Sequence, residues 1–252
     1  MINNIESRKI PQMIIFDFGH TLVYEDKWDG VKGEKALLEY AVSNKNNLTV
    51  EQICEFADNL FINTHAARKN GIEFHEHNFL KLVYEYLQVE INLPLIKMEE
   101  VFWDNASSAH AMPHIVETLD YLRENNIRTG VISNIAFSGE ALKNRINSIL
   151  PNNTFEFIIA SSEYILRKPN RIIFELALKK ANLFANGVWY CGDSVDFDVA
   201  GATSAGIFPV WYESEIECYY RERKIQKKPK CEHLHIKDWR ELIDILEKLK
   251  LK

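Results

Sequence analysis

The apolar positions fall into two regimes. From about Lys32 to Asn105 they recur at three-to-four spacing with almost no alternation, which predicts helices. Thr49-Val50-Glu51-Gln52 reads as a capping box that opens a helix running towards Arg68. Phe74 to Leu87 and Leu95 to Asn105 predict two more helices, the second opening just after Pro94. On either side of this block the apolar residues come instead in short runs ended by turn residues. Met13-Ile14-Ile15-Phe16 runs straight into Asp17-Phe18-Gly19, the pattern of a strand buried on both faces. From Pro113 onward, helices over Ile115 to Glu124, Gly139 to Leu150, Arg171 to Ala181 and Asp198 to Ala205 alternate with strands. Those strands are Arg128 to Ile132, Phe157 to Ala160, Val188 to Cys191 and Ile207 to Val210. His233 to Ile236 adds a candidate edge strand, and Trp239 to Leu249 is an amphipathic closing helix.

Alternation of this kind predicts an α/β fold, with βαβ units forming a parallel sheet covered by helices on both faces. The first strand belongs to that sheet. The catalytic core then comprises residues 1–22 and 113–252, and residues 23–112 form an all-helical insertion. An insertion at the C-terminal end of a strand hangs over the site there and makes a natural cap.

Composition narrows the function classes. The 252 residues suit one large or two modest domains. A net charge of -6 gives no electrostatic reason to expect nucleic acid or an anionic membrane as partner. The basic run from Arg221 to Lys230 is expected to be a solvated loop. No apolar stretch approaches the roughly 18 residues of a membrane span. Met1 to Gln12 lacks the apolar centre of a secretory signal. Cys54, Cys191, Cys218 and Cys231 match no metal or redox spacing, so reduced thiols in a cytoplasmic protein are expected, as a monomer or weak homodimer.

Four segments carry candidate chemistry. Asp17 follows the first strand, at the sheet edge where open α/β folds place their sites. Thr129-Gly130-Val131-Ile132-Ser133-Asn134 delivers a hydroxyl to the end of a second strand, and Arg167-Lys168-Pro169 follows a third. Trp189-Tyr190-Cys191-Gly192-Asp193-Ser194-Val195-Asp196-Phe197-Asp198 runs a fourth strand into an acidic loop. Taken singly, Asp17 and Ser133 read as turn residues, Lys168 as a solvated cation, and the acidic loop as a helix start. Together they place carboxylates, a hydroxyl and a lysine at one sheet edge, which suits a dianion held by a metal. Asp17 and the Asp193 cluster offer the hard oxygens that Mg²⁺ prefers, while Ser133 and Lys168 can hold phosphoryl oxygens.

These four motifs, in this order and with a helical cap between the first and second, resemble the haloacid dehalogenase-like (HAD) hydrolase superfamily from Met13 to Tyr212. The resemblance implies a Rossmann-like core and an aspartyl-phosphate mechanism acting on a small phosphorylated metabolite. Asp17 is the implied nucleophile and, with the Gly19 carbonyl, Asp193 and Asp198, the implied Mg²⁺ site. Ser133 would hold the phosphoryl group and Lys168 would offset charge. Gly19, His20, Thr21 and Asn134 complete the implied substrate contacts.

One position departs from the pattern. Family phosphatases usually carry a second Asp, the general acid/base, two residues after the nucleophile, and here that residue is Gly19. Losing a general acid/base costs about 10²–10⁴-fold in rate. The departure leaves a slow phosphatase, or one whose leaving group needs little protonation. It also keeps open a 2-haloacid dehalogenase, whose halide needs no proton, and a phosphate-binding regulatory protein with little turnover. His20 is the adjacent substitute by pKa, although neighbouring side chains need not share a direction. Substrate selection is expected from Tyr24, Trp28 and cap residues such as His65, Arg68, His75, His77 and Trp103, with Asn63 to Lys69 a candidate anion contact.

Overall fold

The computed structural model describes residues 8–216 and 228–251, so Cys218 and residues 221–227 of the basic run lie outside the described residues. In chain order the strands are β1 (Met13–Phe16), β2 (Val23–Glu25), β3 (Ala41–Asn44), β4 (Val89–Ile91), β5 (Ala109–Ala111), β6 (Arg128–Ser133), β7 (Phe155–Ala160), β8 (Val188–Gly192), β9 (Phe208–Tyr212) and β10 (Leu234–Ile236). The helices are α1 (Gly30–Leu38), α2 (Val50–Lys69), α3 (Glu76–Leu87), α4 (Leu95–Ala106), α5 (Ile115–Glu124), α6 (Gly139–Ile149), α7 (Arg171–Ala181), α8 (Ala200–Ser204) and α9 (Trp239–Lys250).

Six strands form one sheet in the order β10-β9-β8-β1-β6-β7, all parallel. The central strand β1 shows why. Its four side chains are fully buried, and the two-residue period of a strand sends them to opposite faces. Ile14 and Phe16 join one core with Ile115 and Leu122 of α5, Leu142 of α6 and Trp239 of α9. Met13 and Ile15 join a second core with Ile173, Phe174 and Ala177 of α7 and Ala202 of α8. Full burial of such side chains stabilises by about 1.5–3 kcal/mol each, so a strand apolar at every position is secured from both sides. This is the Rossmann-like parallel sheet that the sequence predicts.

The chain between β1 and β6 has a core of its own, including Leu37, Ile53, Leu80, Val83 and Met98. Gly33 lets α1 lie against α4, because a Cβ there would stand 2.8 Å from the Phe102 carbonyl oxygen. The predicted capping box at Thr49 is present, Gln52 N–H donating to Thr49 and Thr49 N–H to the Gln52 side chain. The expectation of an all-helical insertion is corrected by two antiparallel ribbons. β3 pairs with β4 inside the segment, and β2 pairs with β5 where the chain leaves and rejoins the sheet. Strands of three or four residues are too short to show alternation against a helical background. A second correction concerns Asp198 to Ala205, where a wide π-type turn over Val195–Val199 precedes the short α8. Among the described residues no helix is long and apolar enough to cross a membrane.

Candidate active site

Parallel pairing brings the four motifs to one edge. Phe16 stands level with Val131 of β6 and Cys191 of β8, so β1 ends beside both. Asp17 N–H then donates to the Cys191 carbonyl at 2.8 Å, which extends the pairing by one residue and holds the Asp17 backbone. Lys168 arrives from the loop between β7 and α7. Its main chain is clamped by the Asn134 amide, which accepts from Lys168 N–H at 2.7 Å and donates to its carbonyl at 2.9 Å.

Lys168 is the electrostatic centre. Its ammonium donates to Asp17 Oδ1 at 2.6 Å, Asp198 Oδ1 at 2.6 Å and Tyr190 Oη at 2.9 Å, which uses all three N–H groups. Burial opposes the charged form, but Asp17 and Asp198 outweigh it and hold the Lys168 pKa above the ordinary lysine range. Burial raises the Asp198 carboxyl against the pull of Lys168. Tyr190 Oη donates to Asp198 Oδ1 at 3.1 Å, and Ser194 N–H donates to Asp198 Oδ2 at 2.9 Å. Gly192 makes room for this packing, since a Cβ there would collide with the Asp198 carboxyl group.

Asp17, Asp193 and Asp198 each offer a carboxylate oxygen within 4.8 Å of the others. Three clustered carboxylates, two of them sharing one ammonium, leave an excess of negative charge on hard donors, and that donor set fits Mg²⁺.

Above the carboxylates lies a cavity of about 210 Å³, lined by Asp17, Gly19, Ser133, Asn134, Lys168 and Asp198 together with aromatic residues. Ser133 is buried, and its hydroxyl makes no hydrogen bond among the described residues. The aromatic walls are Phe18, Trp28, Trp103, Phe137 and Phe197, joined by Glu25. Glu25 Oε1 accepts from Trp103 Nε1 at 2.8 Å and Arg145 Nε at 2.9 Å. Burial raises the Glu25 pKa, with Arg145 opposing it.

Several expected contacts lie elsewhere. Thr21 is fully buried and donates to Asp17 Oδ2 at 3.3 Å, so it buttresses Asp17 and does not line the cavity. Asn134 does line the cavity, but both ends of its amide are engaged by the Lys168 main chain. His20 is buried with φ of 57° and is not part of the lining, so the adjacent histidine is not positioned as the missing acid/base. Of the selectivity candidates, Trp28 and Trp103 line the cavity. Tyr24 stacks on His110, His65 is exposed, and Arg68 pairs with Glu73. His75 caps α3, and His77 bonds Glu99.

Sequence reasoning missed Tyr190, Glu25, Phe18, Phe137 and Phe197. The lone hydroxyl within the otherwise apolar Val188 to Cys191 run was a usable signal for Tyr190. Phe137 and Glu25 carry none, because the cavity brings them together over long sequence separations.

The haloacid dehalogenase-like hydrolase family model matches residues 14–212 of the chain. The chain is 26% identical over 218 residues to the pyrimidine 5'-nucleotidase YjjG of Escherichia coli, covering 83% of this chain and 88% of that protein. It is 26% identical over 212 residues to the glyceraldehyde 3-phosphate phosphatase of Pyrococcus abyssi, covering 80% and 81%. Its fold is similar to that of a 2-haloacid dehalogenase from Pseudomonas syringae pv. Tomato, with a TM-score of 0.60 and 20% identity over 95% of this chain and 99% of that one. A HAD phosphatase from Thermococcus onnurineus gives 0.58 and 17% over 93% and 97%.

Proposed function

The chain belongs to the haloacid dehalogenase-like hydrolases, and we propose that it is a Mg²⁺-dependent phosphatase of a small phosphorylated metabolite. The observation that carries this reading is the carboxylate trio where β1 and β8 end side by side, with Lys168 bridging Asp17 and Asp198. A halide leaving group needs neither the second and third carboxylates nor a metal. A phosphoryl dianion beside Asp17 needs both. The two curated relatives named above are, by their names, a nucleotidase and a phosphatase, which supports phosphate over halide.

In this mechanism Asp17 attacks phosphorus and the bond to the leaving oxygen breaks, giving an aspartyl phosphate. Water then attacks that phosphorus, releasing inorganic phosphate and restoring the carboxylate. Lys168 offsets the charge of Asp17 and the phosphoryl group, and Ser133 donates its hydroxyl to a phosphoryl oxygen. Asp17, Asp193, Asp198 and the Gly19 carbonyl would hold Mg²⁺, which when bound neutralises phosphoryl charge and fixes the group against Asp17. Thr21 and Asn134 position Asp17 and Lys168. With glycine at position 19, the leaving oxygen takes its proton from solvent or from the substrate's own chemistry, and turnover is slow. Residues 1–22 and 113–252 act as the catalytic core and residues 23–112 as the cap. The working protein is a cytoplasmic monomer or weak homodimer.

The test uses the full chain with a panel of phosphate monoesters and 2-chloropropionate, with Mg²⁺ and with chelator. Phosphate released only with Mg²⁺, and abolished by Asp17→Asn, is the expected result. Halide released without metal would replace this reading with the dehalogenase, and no turnover of either class would favour the binding protein.

A further inference from the structure

The three carboxylates of the proposed metal site are not held alike. Asp17 is fixed by Lys168, by Thr21 and by its N–H bond to the Cys191 carbonyl. Asp198 is fixed by Lys168, Tyr190 and Ser194 N–H. Asp193 stands half-buried just beyond β8, and the Lys168 ammonium donates to Asp17, Asp198 and Tyr190 rather than to it. A carboxylate so placed binds an ion well only if its main chain is already fixed, because ordering a loose ligand consumes part of the binding free energy.

That main chain is gripped on both sides. The Asp193 carbonyl accepts from Trp211 Nε1 at 3.2 Å, and Ser194 N–H donates to Asp198 Oδ2 at 2.9 Å. Both groups belong to one planar peptide unit, so two bonds on its opposite edges set its orientation. On the other side of Asp193, pairing of β8 with β9 continues up to Gly192 and Trp211. With both flanking units fixed, the direction of the Asp193 side chain follows. The grip through Asp198 comes from within the acidic trio, and Trp211 supplies the other from outside it. Trp211 is buried on β9 and is not part of the cavity lining. Its ring lies on His235 of β10, 4.2 Å between centroids and 15° from parallel. A buried indole needs an acceptor wherever it lies. This one takes the carbonyl of a residue that offers an oxygen to a metal.

Resting on the Mg²⁺ site of the phosphatase reading, we propose that Trp211 is a positioning residue for the divalent ion, its indole N–H fixing the Asp193–Ser194 peptide and so keeping the Asp193 carboxylate beside Asp17 and Asp198. His235 steadies the indole by stacking on it. Trp211 acts through Asp193 and contacts neither the ion nor the phosphoryl group. A strand two places removed from β1 in the sheet thereby takes part in metal binding.

Mn²⁺ takes the same oxygen donors as Mg²⁺, and loss of its free-ion electron paramagnetic resonance signal reports binding without turnover. The parent full chain is expected to bind Mn²⁺, and Asp193→Asn to weaken that binding sharply. Trp211→Phe keeps an aromatic ring against His235 and removes only the N–H donor. Its Mn²⁺ affinity is expected to fall about 10-fold, the lower end of the loss when a group that orients a metal ligand is removed. The Mg²⁺ concentration for half-maximal phosphate release rises in parallel, while kcat at saturating Mg²⁺ stays near the parent value. His235→Ala spares the hydrogen bond and shifts the affinity in the same direction by a smaller factor. Leu242→Ala, in the core on α9, lowers the urea midpoint and leaves the affinity unchanged, which separates positioning from general loosening. Affinity unmoved by Trp211→Phe or by Asp193→Asn, or lost equally in Leu242→Ala, overturns the inference and leaves the phosphatase reading standing. If Trp211→Phe does not fold, an affinity unmoved in His235→Ala overturns it instead. Mn²⁺ bound by the parent and weakened by Trp211→Phe, with no phosphate released from any ester, sinks the phosphatase reading alone. A parent chain that binds no Mn²⁺ sinks both.

Discussion

Lys168 concentrates the energetics of the site, because one buried cation stands against two buried carboxylates at 2.6 Å each. Removing one partner of a buried ion pair costs about 3–5 kcal/mol, since the charges left behind lose compensation. Lys168→Met is therefore expected to lower the urea midpoint markedly and to abolish turnover, with part of the stability regained on adding Mg²⁺. Tyr190→Phe is gentler. It leaves one ammonium N–H without its acceptor and takes one of two donors from Asp198 Oδ1, which keeps Lys168, an expected loss of about 1–3 kcal/mol with turnover reduced but present. Gly192→Ala attacks the same point through shape, since the added methyl collides with the Asp198 carboxyl. Its expected signature is a several-fold higher Mg²⁺ concentration for half-maximal activity in the phosphatase assay, with the fold intact by circular dichroism. These residues also mark what a sequence discloses. Asp17, Ser133 and Asp193 stood out as candidates because each ends a strand or opens the loop beyond it, where periodicity breaks visibly, and Lys168 and Asp198 because they complete the same four segments. Glu25 and Phe137 were not, because nothing local distinguishes a cavity wall from a helix face.

At the scale of elements, strand positions buried on both faces were read to within a residue or two. β1 and β8 advertise themselves by nearly unbroken apolar runs and β6 by the Val131-Ile132 pair running into Ser133-Asn134, whereas β2 to β5 are defined by partners far along the chain. The wide turn before α8 escaped because its shape depends on Asp198 reaching back to Ser194 N–H, a tertiary choice that propensity does not encode. The helices of the insertion hide a titration of their own. Glu34 on α1 is buried and accepts from Tyr84 Oη at 2.9 Å, and burial pushes its pKa from 4.5 up to about 7. Between those two values the folded chain holds a proton that the unfolded chain has released, so stability falls as pH rises through this window and levels off above it. Glu34→Gln keeps an acceptor for Tyr84 without the charge. It should match the parent chain at pH 4 and exceed it at pH 8 by up to about 3 kcal/mol, the difference of pKa converted at 1.36 kcal/mol per unit. Urea midpoints at the two pH values check both the size and the sign.

For the whole molecule, the question is how the insertion communicates with the sheet edge, and the answer extends beyond the β2–β5 ribbon. Residues 71–73 of the insertion run antiparallel to 165–167 of the core, with Arg167 N–H donating to the Gly71 carbonyl at 3.0 Å and Ile72 bridging Leu166. Glu73 anchors this strip. Its side chain is fully buried, bonds the Arg167 guanidinium, pairs with Arg68 at 3.2 Å and accepts from Ser161 Oγ at 3.0 Å. Ser161 Oγ in turn accepts from Ile135 N–H at 2.9 Å, two residues beyond Ser133, while Arg167 immediately precedes Lys168. One insertion carboxylate is thus tied to the loops that carry both the hydroxyl and the cation of the site. Glu73→Ala leaves two guanidinium groups without their shared counter-charge, which should cost about 3–5 kcal/mol. The double variant Glu73→Ala/Arg167→Ala should cost clearly less than the sum of the two single changes, because the stranded charge at position 167 is removed with its partner. Small displacements of positioned groups are costly to rate, so Glu73→Ala should also lower kcat about 10-fold at saturating substrate under conditions where the chain remains folded. A cap that hinged on the ribbon alone, independent of the Lys168 loop, would show the stability loss with kcat untouched.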